Sequence, residues 1–581
     1  MKILLVALNA KYIHSNLAVY NLKAYAKPFA ESIKMMEYTI NHYVHDILQG
    51  LYKEKADIIA FSCYIWNLEL VETLTTLLHK VSPETKIWLG GPEVSYDAGA
   101  VMARRPELTG IMYGEGEATF YQLMAYYHQA GGALPLSDIK GIAYRDSSGN
   151  IIMNPRQLLL NMDTIPFGYQ NLDDFRYKII YYESSRGCPF SCSYCLSSID
   201  KRVRFRNTQL VKKELKFLID QEVPQVKFVD RTFNCNHSHA MEIWQFIKEY
   251  DKGKTNFHFE VAADLFNEEE LFLLESLRPG LVQLEIGVQS INRKTLEEIK
   301  RHTDLDQLAG NVLRIHHQRN IHQHMDLIAG LPYEDLESFK ASFNWVYGLN
   351  PDQLQLGFLK VLKGSLMHRR QAAYEIVSWS KPVYEVLSTK WISYDQLLLL
   401  KSVEMMVETY YNSGQFKNAM VYLNHFYKSP FDLYQALAAF YEERGYDSLN
   451  HSRISRYTIL LEFSNESGLN TEHILEEILL YDLYLRENLK NRPDWAEDRA
   501  DFKQTIVAYY RNLASLDGDM TVKQIRFLTH IEPFTIDVRR TVSTGEVYRQ
   551  MNFILFDYRK RDPLYNEGSL LLLKGDENGI K

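Results

Sequence analysis

The chain has 581 residues, 46% hydrophobic and 24% charged, with 65 Lys and Arg against 73 Asp and Glu and a formal net charge of −8. That length predicts about two to four globular domains, the composition excludes extended disorder, and the acidic balance excludes a global pull toward phosphate backbones or anionic lipid. The five cysteines are too few for a disulfide framework, and there is neither a run of about 18 apolar residues nor a signal-peptide pattern, so the chain reads as cytoplasmic with no membrane partner.

In chain order, the run KILLVAL at 2–8 suits a strand buried on both faces, and an amphipathic stretch at 16–29 follows it. Further strands are predicted at 33–40, 56–62, 86–89 and 110–113, separated by helical stretches at 41–53, 68–81, 96–104 and 117–128. This alternation predicts an α/β doubly wound, Rossmann-like (flavodoxin-like) parallel sheet over 1–135. Ligands of such sheets sit beyond the carboxyl ends of the strands. Those ends carry Asn9, Ser62-Cys63-Tyr64, Gly90-Gly91-Pro92-Glu93 and Gly114-Glu115-Gly116-Glu117.

Periodicity weakens over 136–177, a predicted linker in which GIAYRDSSGNIIMN forms a hairpin turned at Ser148-Gly149. Strands return at 178–184, 225–230, 256–262, 281–288, 321–329 and 353–359, with helices between them, and six such units over 178–365 predict a partial (β/α)6 barrel with its chemistry at the C-terminal strand ends. Beyond 365, amphipathic stretches at 394–411, 415–426 and 470–488 predict a mostly helical domain over 366–581 with strand-like runs between 524 and 556.

The segment ESSRGCPFSCSYC places Cys188, Cys192 and Cys195 directly after a predicted strand. A zinc site expects four ligands, or three and a water, whereas an iron–sulfur cluster held by three thiolates keeps one iron open to an exogenous ligand. Arg186-Gly187 and Pro189 fit a turn at the strand end, and Tyr194 supplies an aromatic wall.

The segment resembles the radical S-adenosylmethionine (radical SAM) superfamily motif. The resemblance implies a 4Fe-4S cluster whose free iron is chelated by S-adenosylmethionine, and reductive cleavage of that cofactor to a 5′-deoxyadenosyl radical that abstracts hydrogen from a substrate. It also implies that Tyr194, Asp230, Arg231 and Asn234 (in FVDRTFN), Glu260 (in HFEVAADL), Glu285 and Gln289 (in LEIGVQS) and Asp326 (in DLIAGLPYE) contact S-adenosylmethionine.

A doubly wound sheet ahead of such a barrel resembles the cobalamin-binding (class B type) radical SAM enzymes, and the tail resembles a domain of unknown function attached to them. In that resemblance Ser62, Cys63, Gly90, Gly91, Pro92, Glu93, Gly114, Glu115 and Gly116 line the cobalamin groove. The Asp-x-His-x2-Gly signature of a lower axial histidine is absent, and His42 and His45 are expected on the surface. Cys235, on the catalytic edge, is a candidate for contact with substrate or intermediate.

The resulting expectation is methyl transfer to an unactivated carbon of a small-molecule or RNA substrate, driven by a flavodoxin- or ferredoxin-type reductant. Cyclisation, rearrangement and RNA modification are the enzymatic alternatives, with the run KRVRFR at Lys201–Arg206 as a phosphate contact or a solvated loop. The non-enzymatic alternative, a cobalamin or redox sensor, needs no open iron. A second cluster in the first domain would need three more cysteines where only Cys63 stands.

Overall fold

The fully buried run ILLVALN forms a central strand, β1 (Ile3–Asn9), in the computed structural model, which describes residues 1–169, 171–469, 472–517 and 519–573. Strands β2 (Ile33–Thr39), β3 (Ile58–Ser62), β4 (Lys86–Gly90) and β5 (Gly110–Met112) lie parallel to β1, in the order β2-β1-β3-β4-β5. Helices cover both faces because strands without alternation must bury both sides. The hairpin expected within a linker instead completes this sheet. Its strands β6 (Ile142–Arg145) and β7 (Ile151–Met153) add antiparallel to β5, because Ile142, Ala143 and Tyr144 bury themselves against the first domain and cover an open edge.

The second sheet begins at β8 (Ile180–Tyr182), and a short antiparallel pair, β9 (Ser185–Arg186) and β10 (Arg204–Phe205), follows it. Five more parallel strands complete the sheet: β11 (Gln225–Phe228), β12 (Asn256–Val261), β13 (Val282–Gln289), β14 (His322–Ala329) and β15 (Gln353–Phe358). They run in the order β15-β14-β13-β12-β11-β8, so β8 and β15 are unpaired edges and the barrel stays open. The connecting helices are well specified locally. Asn267 and Glu270 form a reciprocal capping box on Glu268–Glu275, and Asn207 caps Thr208–Asp220, which buries Val211, Leu215 and Leu218.

The C-terminal region is mostly helical. A small hairpin, β16 (Val377–Ser378) with β17 (Val386–Ser388), precedes helices that include Tyr394–Met406, Lys417–Asn424, Pro430–Glu443, Arg453–Glu466 and Ile474–Arg486. The late strand-like runs form an antiparallel sheet of β18 (Thr529–Ile536), β19 (Arg549–Arg561) and β20 (Gly568–Leu573). The Ile474–Arg486 helix is buried almost all round, with Tyr481 packed on Phe534 and Phe556. Residues 470 and 471 of the expected 470–488 helix, and residues 574–581, lie outside the described residues. No described helix is long and apolar enough to cross a membrane.

Asp482 on that helix is buried and accepts hydrogen bonds from the Asn418 and Ala419 backbone amides at 3.1 and 2.9 Å and from Asn418 Nδ2 at 2.6 Å. It thereby satisfies otherwise orphaned donors at the start of Lys417–Asn424. Asp482→Ala is expected to make local opening of that helix easier by about 2 kcal/mol in hydrogen exchange, and Asp482→Asn, which keeps an acceptor, by less.

Candidate functional site

The cysteine loop is defined by its stem. In the β9–β10 pair Arg186 lies directly opposite Arg204, closing residues 187–203 into one loop. Gly187 opens it at φ +95°, where a Cβ would come within 2.7 Å of the Arg202 carbonyl, so only glycine fits. Inside the loop the Cys188 amide donates to the Asp200 carbonyl (3.2 Å) and the Cys195 amide to the Cys192 carbonyl (3.2 Å). Outside it, the Ser193 amide donates to the Ile299 carbonyl (2.9 Å) and the Ser193 carbonyl accepts from Met367 (2.8 Å). Cys188 and Cys192 are buried, Cys195 is half-buried, and all are free thiols. Arg301 Nη1 lies 3.9 Å from Cys192 Sγ, and Thr232 Oγ1 lies 3.7 Å from Cys188 Sγ. Among the described residues no three His, Cys, Asp or Glu side chains are placed to hold a single metal ion. A three-thiol set with no fourth donor suits a cluster that leaves one iron open better than it suits zinc.

Like charges facing each other across a ladder are destabilising. Here the two stem arginines are matched by carboxylates of the first domain: Arg204 pairs with Glu115 and Arg186 with Glu117, and Arg186 also bonds Glu183 at 2.9 Å. Glu115 and Glu117 begin the helix Gly116–Tyr127, whose amide end further favours negative charge. Against the effect of burial, hydrogen bonds from Arg204 and the Leu160 amide and the charge of Arg186 hold the Glu115 carboxyl below its usual range, whereas burial pushes Glu183 up to about 7. Two of the four basic residues of KRVRFR are therefore internal, since Arg206 also pairs with Glu214 at 2.5 Å, and only Lys201 and Arg202 are exposed.

A cavity of about 800 Å³ lies between the carboxyl ends of the first sheet and the barrel. Ser62, Gly90, Gly91, Pro92, Gly114, Glu115 and Gly116 line one wall, and Gly187, Leu196, Ser197 and Ile199 of the cysteine loop line another. Gly91 turns the chain at φ +114°, where a side chain would collide with the Cys63 carbonyl.

Two expected lining residues face elsewhere. Cys63 is fully buried in the core on the other side of the sheet, its thiol 3.8 Å from the Phe61 carbonyl, and burial pushes its pKa far up. Glu93 turns to accept a hydrogen bond from Tyr384 at 2.9 Å. In their place stand Tyr64, already noted at its strand end, and two residues the sequence did not single out, Trp66 and His14. Tyr64 and Trp66 are stacked at 4.5 Å and 5°, and His14 contacts the Tyr181 hydroxyl through Nδ1 at 2.7 Å. The aromatic pair at a strand end was a legible signal, but His14 depends on the second sheet for its position. His42 and His45 are exposed, as expected.

The barrel's inner face follows from its register. Lys227 aligns with Tyr181 and His258, Glu260 with Glu285, and Glu285 with His324, while Gly287 aligns with Asp326. Alternation therefore sends a polar stripe to one face and Val226, Phe257, Leu284 and Met325 to the other. Glu285 receives Lys227 and His258 at 2.9 Å each and is held well below the usual carboxylate range. Asp326 lies 3.1 Å from His324, whose pKa it raises against the effect of burial. Glu260 lies 3.6 Å from Arg231, and burial pushes it up to about 7. Gln289, at φ +72°, folds its amide across Gly287, and Tyr194 lies half-buried beside Cys192 and Arg301.

Asp230 and Asn234 are corrections to the expected cofactor set, because their hydrogen-bonding groups are spent on the chain itself. Asp230 accepts from the Ser184 amide (2.9 Å) and from the Ser184 and Ser185 hydroxyls (2.6 Å each), and Asn234 exchanges two bonds with the Ala262 backbone. Cys235 is half-buried after the turn at Thr232, and burial pushes it up to about 11, which keeps it a neutral thiol.

Comparison with known proteins places three family models along the chain: "B12 binding domain" at 3–124, "Radical SAM superfamily" at 182–346 and "Protein of unknown function (DUF4080)" at 372–556. The chain is 25% identical over 319 residues to an uncharacterized methyltransferase, PH0819, of Pyrococcus horikoshii, covering 53% of this chain and 68% of that protein. It is 24% identical over 307 residues to the cobalamin-dependent radical SAM methyltransferase TokK of Streptomyces tokunonensis, covering 49% and 44%. The matches span roughly half of most of these curated relatives' lengths. The fold resembles the cobalamin-dependent S-adenosylmethionine radical enzyme OxsB, solved with aqua-cobalamin and S-adenosylmethionine, at a TM-score of 0.58 and 17% identity over 90% of this chain and 81% of that one.

Replacing Glu115 and Glu117 together by Gln is expected to remove the first-domain partners of the stem arginines, leaving Arg186 with Glu183 and Arg204 with Asp200, and to ease opening of residues 187–203 by about 2–4 kcal/mol in hydrogen exchange, with little change in the C-terminal sheet. Glu260 has a folded pKa, about 7, above its unfolded value, so its contribution to stability is full below about pH 4.5 and is lost as pH rises through about 7. The thermal midpoint of Glu260→Gln relative to the parent should therefore rise across that window, by the equivalent of about 1–3 kcal/mol.

Proposed function

From its place among the cobalamin-binding radical SAM enzymes, we propose that this chain transfers a methyl group to an unactivated carbon of a polar substrate. The observation that carries the reading is one cavity walled both by the strand ends of the B12 binding domain and by the loop holding Cys188, Cys192 and Cys195. Two cofactors that must act on one substrate need such a shared space. When bound, the cluster with S-adenosylmethionine supplies hydrogen abstraction and the corrinoid supplies the methyl group.

The chain's own residues supply positions and charge. Cys188, Cys192 and Cys195 hold the cluster, and Arg301 beside Cys192 stabilises negative charge on the thiolate. Arg231, Glu260, Glu285, Gln289 and Asp326, at the inner strand ends, orient S-adenosylmethionine or substrate. Ser62, Gly90, Gly91 and Gly114 admit the corrinoid closely, and the Tyr64–Trp66 stack gives it a flat apolar surface. An inner barrel face carrying Lys227, His258, Glu285 and His324 favours a substrate with hydrogen-bonding groups, since an apolar one would take the remaining water from these ion pairs and replace it with nothing. A soluble one-electron donor of the flavodoxin or ferredoxin type completes the system.

The test is anaerobic reconstitution followed by iron, corrinoid and S-adenosylmethionine-cleavage assays on the parent, on Cys188/Cys192/Cys195→Ala and on Cys235→Ala. The parent should hold about four irons and one corrinoid; the triple variant should lose iron and cleavage while keeping corrinoid, and Cys235→Ala should keep both cofactors. Iron without corrinoid would end the methyl-transfer reading.

A further inference from the structure

His14 is fixed where the first sheet, the barrel and the cavity meet. It lies in the loop between β1 and the helix Leu17–Tyr25, past the carboxyl end of the central strand, and it lines the cavity with Asn9, Ser62 and Gly90. The backbone around it is held from two sides. Asn9 Nδ2 donates to the His14 carbonyl at 3.1 Å, while the Ile179 amide donates to the Ile13 carbonyl at 2.7 Å and the Ser15 hydroxyl to the Ile179 carbonyl at 2.8 Å. The ring is held by Tyr181, whose hydroxyl lies 2.7 Å from Nδ1. Among the described residues no hydrogen bond or ion pair engages Nε2, and no other histidine and no cysteine lines the cavity.

We propose that His14, through Nε2, is an axial nitrogen ligand to the cobalt of the corrinoid held in this cavity. The proposal rests on reading the cavity as a corrinoid site. A corrin ring occupies the equatorial positions of cobalt and leaves one axial position on each face, so an imidazole on one face leaves the other to the methyl group. Neutral imidazole is a common donor to first-row metals. A histidine that binds metal through one nitrogen almost always gives the proton of the other to a fixed partner, which sets the tautomer and the direction of the ring. The Tyr181 oxygen is placed to accept that proton from Nδ1, which leaves the Nε2 lone pair for the metal. The bond formed is a coordination bond. It displaces a water from the axial position and changes neither the oxidation state of the cobalt nor the protonation of the chain. No local signature marks this histidine, because the residue that fixes its ring comes from the barrel.

The test is electron paramagnetic resonance of the full chain, reconstituted with cobalamin and with its cluster left oxidised, after one-electron reduction of the corrinoid to cob(II)alamin. A single axial nitrogen splits the high-field cobalt lines into triplets. In the parent these triplets should become doublets when the chain carries 15N-histidine, since the corrinoid's own benzimidazole stays unlabelled. His14→Ala should keep the corrinoid and lose the splitting, and Tyr181→Phe should lower the ligated fraction at least about twofold. Lines without nitrogen splitting, triplets unchanged by the label, or doublets that persist in His14→Ala would overturn the proposal. The labelled parent decides the point without any substitution. A parent that takes up no corrinoid would sink the reading of the cavity together with this one, whereas bound corrinoid without a histidine nitrogen would sink this one alone.

Discussion

Two arginines placed face to face on a two-residue ladder should push the cysteine loop open, and they are held together by another domain. Arg186 and Arg204 are cross-strand partners, and their charge is neutralised by Glu115 and Glu117 at the start of a first-domain helix. Such half-buried pairs stabilise only when their geometry is kept, because each charge has given up water. The loop that presents the thiols and the wall of the neighbouring cavity are thus one electrostatic unit. Separating the domains would strand Glu115 and Glu117 and leave Arg186 with Glu183 and Arg204 with Asp200 as their remaining partners.

The same dependence on contact explains the barrel. A parallel sheet covered by helices on one side and facing a lumen on the other needs an apolar outer row, which Val226, Phe257, Leu284 and Met325 supply. Its inner row is polar from Lys227 to Asp326 because these side chains meet one another across the open strands. Burial and close pairing drive neighbouring carboxylates in opposite directions, Glu285 down and Glu260 up, so groups of one chemical type acquire different charge at neutral pH.

The segment after the barrel does more than cover it. Lys363 reaches Asp97 at 3.2 Å, Met367 bonds the cysteine loop, and Tyr384 bonds Glu93, so residues 360–390 tie the C-terminal region to both preceding units. Glu93 was a reasonable ligand-groove candidate from its place after Gly-Gly-Pro. A partner distant in sequence redirected it.

Local pattern carried a good deal of this protein. Apolar runs marked the parallel strands, the cysteine spacing marked the loop, and the small residues at 62, 90, 91 and 114 marked the strand ends that line the cavity, because each signal depends only on neighbours along the chain. Tertiary structure decided the direction of side chains. It joined an expected linker hairpin to the first sheet, sent Cys63 into the opposite core, spent Asp230 on the Ser184 amide and two serine hydroxyls and Asn234 on the Ala262 backbone, and brought His14 to Tyr181. Sequence by itself determined where strands end and which thiols cluster. Which polar atoms remain free for a ligand was decided only when the two sheets met, since hydrogen-bonding capacity is claimed by whichever partner packing brings within reach.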